Sequence, residues 1–192
     1  MRITKSDVIQ TAADMADKNG LSNVSLKAVA ESLNIRTPSL YNHIDSLEAL
    51  LREIAHNGMK TMNERMMQAA IGKIGDDAIK SVGITYLNYM IEHPGIYETI
   101  QWATWHGTEE TGKIFDNYLS LLKTLALSCN FNPVNIDEIL NLLTGVLHGY
   151  TTLQLRYAFT KPDEVRTALS AALDTVLAGL HQKYDQHEKE HL

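Results

Sequence analysis

Residues 25–44 read SLKAVAESLNIRTPSLYNHI, two short amphipathic segments joined by a turn of about three or four residues, which is the plan of a helix-turn-helix. Ser25 supplies the side-chain oxygen of an N-cap, and Leu26, Val29, Ala30 and Leu33 recur behind it at helical spacing. Asn34 follows, one of the few residues that tolerates a left-handed backbone, and stops that helix. Thr37 is placed to cap a second short helix, with Pro38 in the first turn, where its missing N–H costs nothing, and this helix is expected to run to about Ile44. Leu40 and Ile44 then face inward against Val29, Ala30 and Leu33, and the small Ala30 permits a close helix crossing. Arg36, Thr37, Ser39, Asn42 and His43 are left pointing out. They are donors and acceptors of the size that reaches base edges and phosphates in a major groove. A merely solvated helix face would be equally polar, so polarity alone does not separate the two readings.

The same period extends in both directions. Upstream, Thr4 with Asp7 forms a capping box with Asp in place of Glu, and Val8, Ile9, Ala12, Ala13 and Ala16 make one apolar stripe, so a first helix is expected over residues 5–18. Downstream, Asp45 or Ser46 caps a long fourth helix carrying Leu47, Leu50, Leu51, Ile54, Met59, Met62 and Met66. Asp76-Asp77 open a fifth helix that stops at Pro94-Gly95; shorter and longer helices follow to Trp105 and from Glu109 to Ser128, with a loop at residues 131–135. The last two have the cleanest stripes: Ile139, Leu142, Leu143, Val146, Leu147, Tyr150 and Leu153, then Val165, Leu169, Ala172, Leu173, Val176, Leu177 and Leu180. The reading is an all-α protein of about nine helices, with a three-helix helix-turn-helix head at residues 1–45 and a helical ligand-binding and dimerisation domain at residues 46–192.

Composition sets bounds on function. The net charge is −6, at first sight wrong for a binder of phosphates. Residues 1–60, however, hold seven basic and seven acidic side chains, so the acidic excess lies entirely in the remainder. The longest charge-free apolar stretch, residues 139–155, contains Asn141, Thr144, His148, Thr151, Thr152 and Gln154, and no membrane span is expected. No apolar signal-peptide core follows Arg2 and Lys5, and Cys129 is the single cysteine, so a cytoplasmic protein without disulfide or thiolate metal cage is expected. No cofactor or metal site is expected.

From Thr4 to Leu51, including the run T-P-S-L-Y-N-H-I-D-S-L-E-A-L-L, the chain resembles the TetR family of bacterial transcriptional regulators. The resemblance implies that the helix carrying Tyr41 is a recognition helix and that the long helix after it links a DNA-binding head to a ligand-binding body. It places Lys27 where the family contacts base or phosphate, Thr37, Ser39, Asn42 and His43 at recognition positions, and Tyr41 where an aromatic packs on the sugar-phosphate backbone. Leu47 stands where the family commonly has Lys, which removes a phosphate contact and implies weaker affinity or a shallower salt dependence.

Within the body, Leu147-His148-Gly149 with Leu153 and Phe159 resembles the subgroup named for a Trp-His-Gly motif, with Leu147 in place of the Trp. The family resemblance implies a homodimer held by the last two helices, and Leu143, Leu147, Tyr150, Leu169, Leu173, Val176 and Leu177 are its candidate interface. Two heads would then read a palindromic operator in double-stranded DNA. Met62, Met66, Tyr86, Tyr89, Met90, Trp102, Trp105 and His148 are candidates to line a pocket for a small apolar or aromatic ligand, although Met and aromatic stripes equally make plain core. The function expected is a sequence-specific regulator, a repressor released from its operator by a small molecule. The alternative is a helical ligand-binding or interaction protein that no longer reads DNA. His187-Glu188-Lys189-Glu190-His191 satisfies the zinc-protease pattern H-E-x-x-H, but only Leu192 follows and no third ligand is at hand, so no enzyme is read from it.

Overall fold

A computed structural model describes residues 3–159 and 161–184. The H-E-x-x-H run lies outside the described residues. Among them are nine α-helices: α1 (Lys5–Asn19), α2 (Leu26–Ser32), α3 (Thr37–Leu40), α4 (Leu47–Ala70), α5 (Gly75–Glu92), α6 (Pro94–His106), α7 (Glu109–Ser128), α8 (Ile136–Leu155) and α9 (Val165–Tyr184). The local chemistry read from the sequence is in place. Thr4 and Asp7 form the reciprocal capping box on α1, Ser25 accepts from the Ala28 N–H on α2, and Ser46 accepts from the Ala49 N–H at the start of α4. Asn34 sits at φ 54°, the left-handed conformation that ends α2.

One detail differs. Arg36, not Thr37, is the N-cap of α3, and its side chain makes no capping bond. The α-helix closes after Leu40, and tight bonds such as His43 N–H to the Leu40 carbonyl (2.8 Å) continue the turn, so Ile44 still donates to Leu40 at 3.0 Å.

The chain divides into two compact units, Met1–Thr61 with Glu92–Phe115, and Met62–Ile91 with Asp116–Leu192. The division follows packing and not chain order, so the head gathers α6 and the start of α7 as well as α1–α3. Its core is a continuous apolar cluster: Val8, Ala12, Val24, Val29, Ala30, Leu40, Ile44, Leu50 and Ile54 are all buried in it. A hydrogen-bonded clamp joins α6 to α1. The Asp17 carboxylate accepts from the Gly95 N–H (2.8 Å) and the Ile96 N–H (3.1 Å), and its other oxygen lies 2.8 Å from His93 Nδ1. Two of the free N–H groups that begin α6 are thereby satisfied by a charged acceptor on another helix. The approach is so close that a Cβ at position 95 would fall on the Ala16 backbone, which is why glycine is required there.

The second unit packs α5 against α8 and α9. At Gly83 a Cβ would come within 3.0 Å of both Leu147 and Leu173, so the missing side chain sets the distance between these helices. Lys80 to Asp174 (2.9 Å) and Arg166 Nε to Asn88 tie the solvent edges of α5 and α9. No described helix is long and apolar enough to cross a membrane.

Candidate nucleic-acid interface and C-terminal interior

The reading surface follows from which residues the head must bury. Leu40 is fully buried and Ile44 nearly so, one helical turn apart, and they define the inner face of α3 and the turn after it. Pro38, Ser39, Tyr41 and Asn42 lie between or beside these two anchors and are left for the outer side. The exposure agrees: Pro38, Tyr41 and Asn42 are exposed, Tyr41 at 57%, whereas Thr37, Ser39 and His43 are half-buried. A rigid apolar core thus holds an outward ridge of small polar groups and one tyrosine. Arg36 and Lys27 are exposed beside it, Lys27 loosely paired with Glu31 at 3.9 Å. His43 lies near the Asp7 carboxylate, which the Thr4 N–H and hydroxyl hold below the usual carboxylate range. Elsewhere in the head Lys5 pairs with Glu53 and Arg52 with Glu48.

In the second unit the polar residues turn inward. Tyr86 and Tyr118 are buried with ring centroids 6.3 Å apart, and the Tyr86 hydroxyl lies 3.3 Å from His148 Nδ1, whose ring meets it edge-on. Burial pulls the His148 imidazole below its ordinary range and pushes the Tyr118 phenol up to about 12, with Thr144 hydrogen-bonded to the latter. Oxygens of Asn63, Thr151 and Gln154 are buried without a hydrogen-bond partner among the described residues. Sequence reasoning missed Asn63, Tyr118, Thr144, Thr151 and Gln154. The available signal was the threonines and glutamine interleaved with the apolar stripe of α8.

Of the candidate ligand residues, Met62, Met66, Tyr86, Tyr89, Met90 and His148 belong to this second unit. Trp102 and Trp105 do not. Trp102 packs on the core of the head and stacks on His106 (4.7 Å), and Trp105 is 86% exposed, so neither joins the buried group. Of the candidate interface residues, Leu143, Leu147, Leu169, Leu173 and Leu177 are buried in the protomer's own core, and only Tyr150 and Val176 remain half-exposed. The correction has a simple cause. A stripe of period 3.6 says that a helix face is covered, not whether the same chain or another covers it. The outward face of α8 instead carries Leu142, Gly145, Gly149 and Leu153, and beside it an open groove of about 500 Å³ is lined by Leu142, Val176, Gly179, Leu180 and Tyr184. Among the described residues no cluster of three or more His, Cys, Asp or Glu side chains is arranged to hold a metal.

A helix-turn-helix presented on an all-α frame, with its polar ridge outward, defines a transcriptional regulator that acts on DNA. Comparison with known proteins carries this to a family. The chain belongs to the tetracyclin repressor-like regulators: residues 79–176 match the family described as "Tetracyclin repressor-like, C-terminal domain". Over 179 residues, 93% of each chain, it is 30% identical to the uncharacterized HTH-type transcriptional regulator YobS of Bacillus subtilis (strain 168). Its fold is shared with a TetR variant of Acinetobacter baumannii AYE solved in complex with minocycline (TM-score 0.71, 19% identity, 94% of this chain and 98% of that one). It is shared also with BioQ bound to its double-stranded DNA operator (TM-score 0.66, 16% identity, 92% and 99%).

Proposed function

We propose that this protein is a cytoplasmic, homodimeric repressor that binds a palindromic operator and is released from it by a small molecule. The observation that carries the reading is the ridge of exposed Pro38, Tyr41 and Asn42, with half-buried Ser39 among them, above the buried pair Leu40 and Ile44. Lys27, Arg36, Thr37, Ser39, Tyr41, Asn42 and His43 make the DNA contacts, with Tyr41, Lys27, Arg36 and His43 on phosphate and sugar and the others at base edges.

The dimer forms through the outward faces of α8 and α9, where glycines at 145, 149 and 179 have open space above them and Leu142, Leu153 and Val176 supply apolar area. The inducer is a small, largely apolar or aromatic molecule that enters the interior of the second unit. Met62, Met66, Met90, Tyr86, Tyr89 and His148 face it, and the buried oxygens of Asn63, Thr151 and Gln154 receive its donors. Its preference for one arrangement of the body reaches the head through α4, an uninterrupted helix that contributes residues to both units.

The test is selection of tight binders from a random double-stranded DNA pool, at about 50 and about 200 mM salt, with Tyr41→Ala as control. Enrichment of one palindrome that the variant fails to hold is expected. Salt-sensitive binding without sequence preference overturns the reading.

A further inference from the structure

We infer that the base pairs lying under α3 in each operator half-site are A·T pairs, with Asn42 reading an adenine and the Pro38 ring covering a thymine methyl. The inference rests on the DNA-reading function proposed above and specifies what is read.

It starts from geometry. Leu40 and Ile44 fix the inner face, and the exposed Pro38 and Asn42 are left facing away from it, toward a groove that this segment enters. Of these two, only Asn42 carries hydrogen-bonding groups. Its amide offers one donor edge and one acceptor edge, which match the N7 acceptor and N6 donor of adenine and no other base. Pro38, exposed and without an N–H, offers only apolar surface, and the apolar feature of the major groove is the thymine C5-methyl.

The chemistry that α3 lacks points the same way. Guanine is read in the major groove mainly by Arg or Lys donating to O6 and N7, and cytosine by a carboxylate accepting from N4. Between Thr37 and Ile44 the chain has neither Arg, Lys, Asp nor Glu. Ser39 and Thr37 are half-buried hydroxyls that pair with any base, and His43 sits half-buried near Asp7, off the ridge. Arg36 precedes the first turn and Lys27 stands on α2, so a guanine contact from either falls beside the pairs under Pro38 and Asn42.

The experiment uses the full chain. Duplexes are selected in parallel with the wild type and with Asn42→Ala, an exposed substitution, and the positions at which preference relaxes in the variant locate the pairs under α3. Those positions are expected to be adenine in the wild-type selection. Replacing such an A·T pair by G·C should lower wild-type affinity on the order of ten- to a hundredfold while leaving Asn42→Ala nearly indifferent. Replacing the same adenine by 7-deazaadenine, which removes only N7, should lose a large part of that factor for the wild type and none for the variant. A palindrome whose relaxed positions are G·C pairs, or a wild type insensitive to 7-deazaadenine, overturns the inference and leaves sequence-specific binding standing. Absence of any enriched palindrome overturns the function proposed above and this inference with it.

Discussion

The two helical units differ in how their buried polar groups are satisfied. In the head the cluster under the reading ridge, from Val8 to Ile54, is apolar, and the polar groups buried elsewhere in that unit are paired, His56 with Thr111 and the Thr99 hydroxyl with the Gly95 carbonyl. In the second unit Asn63, Tyr86, Tyr118, Thr144, His148, Thr151 and Gln154 are drawn into the interior, and oxygens of Asn63, Thr151 and Gln154 have no hydrogen-bond partner among the described residues. An apolar core gives rigidity and a fixed presentation, which base reading needs. A polar interior gives up some of that stability, since an unsatisfied buried group costs about 1–3 kcal/mol, and keeps the means to recognise a molecule that enters. The difference suits a reader of fixed DNA geometry joined to a sensor.

The comparison breaks most severely if the inner and outer faces of α8 have been confused. Leu143→Glu places a carboxylate without a partner in the core of the second unit and should cost more than about 3 kcal/mol, seen as loss of the helical signal or aggregation. Leu142→Glu, one residue away on the exposed face, should leave helicity and melting nearly unchanged while sedimentation shows a monomer. A folded dimer from both variants would contradict the assignment of the faces.

A smaller effect tests the rigidity of the head. Leu40→Ala opens a cavity under the ridge and should cost about 2–5 kcal/mol, with DNA binding lost before the second unit melts. Retained DNA affinity at an unchanged melting temperature would show that the ridge does not depend on its core.

The mildest effect is on pH. Burial holds His148 below its ordinary range, so the unfolded chain binds its proton first as the solution is acidified. Stability of the second unit is therefore complete above about pH 6.5 and falls as pH drops through the interval down to the folded-state value. His56, buried on α4 and bonded to Thr111 at 2.8 Å, is depressed for the same reason against the pull of Glu110, so its contribution has the same sign. His148→Phe should lose less melting temperature than the wild type between about pH 7.5 and about pH 5.5. An equal loss in both proteins would mean that folding leaves the proton affinity of this imidazole unchanged.

How far the sequence could be read follows the same division. In the head each local signal, the Thr4–Asp7 box, Ser25, Asn34, Pro38 and Ser46, acts within a few residues of itself, so order along the chain determined the elements and their inner faces. In α3 the cap moved by one residue, and the α-helix closed after Leu40, before the expected end near Ile44. The Asp17 clamp on α6 was invisible because its partners lie 76 to 79 positions away in the chain. In the second unit the helices were legible from their stripes, but which apolar face meets α5 and which stays open depends on Gly83, a residue that carries no stripe at all. Trp102 and Trp105 misled for a related reason: aromatic content says that surface can be buried, not where.

The central claim is that the ridge above Leu40 reads sequence and not merely charge. The most direct measurement is the ratio of affinities for the enriched palindrome and for a shuffled duplex of the same composition, at about 0.15 M salt, for the wild type and for Asn42→Ala. For the wild type the ratio should be on the order of a thousandfold or more, and lower in the variant mainly through weaker binding to the palindrome. A ratio near one for the wild type, with affinity that only follows salt, would contradict the account.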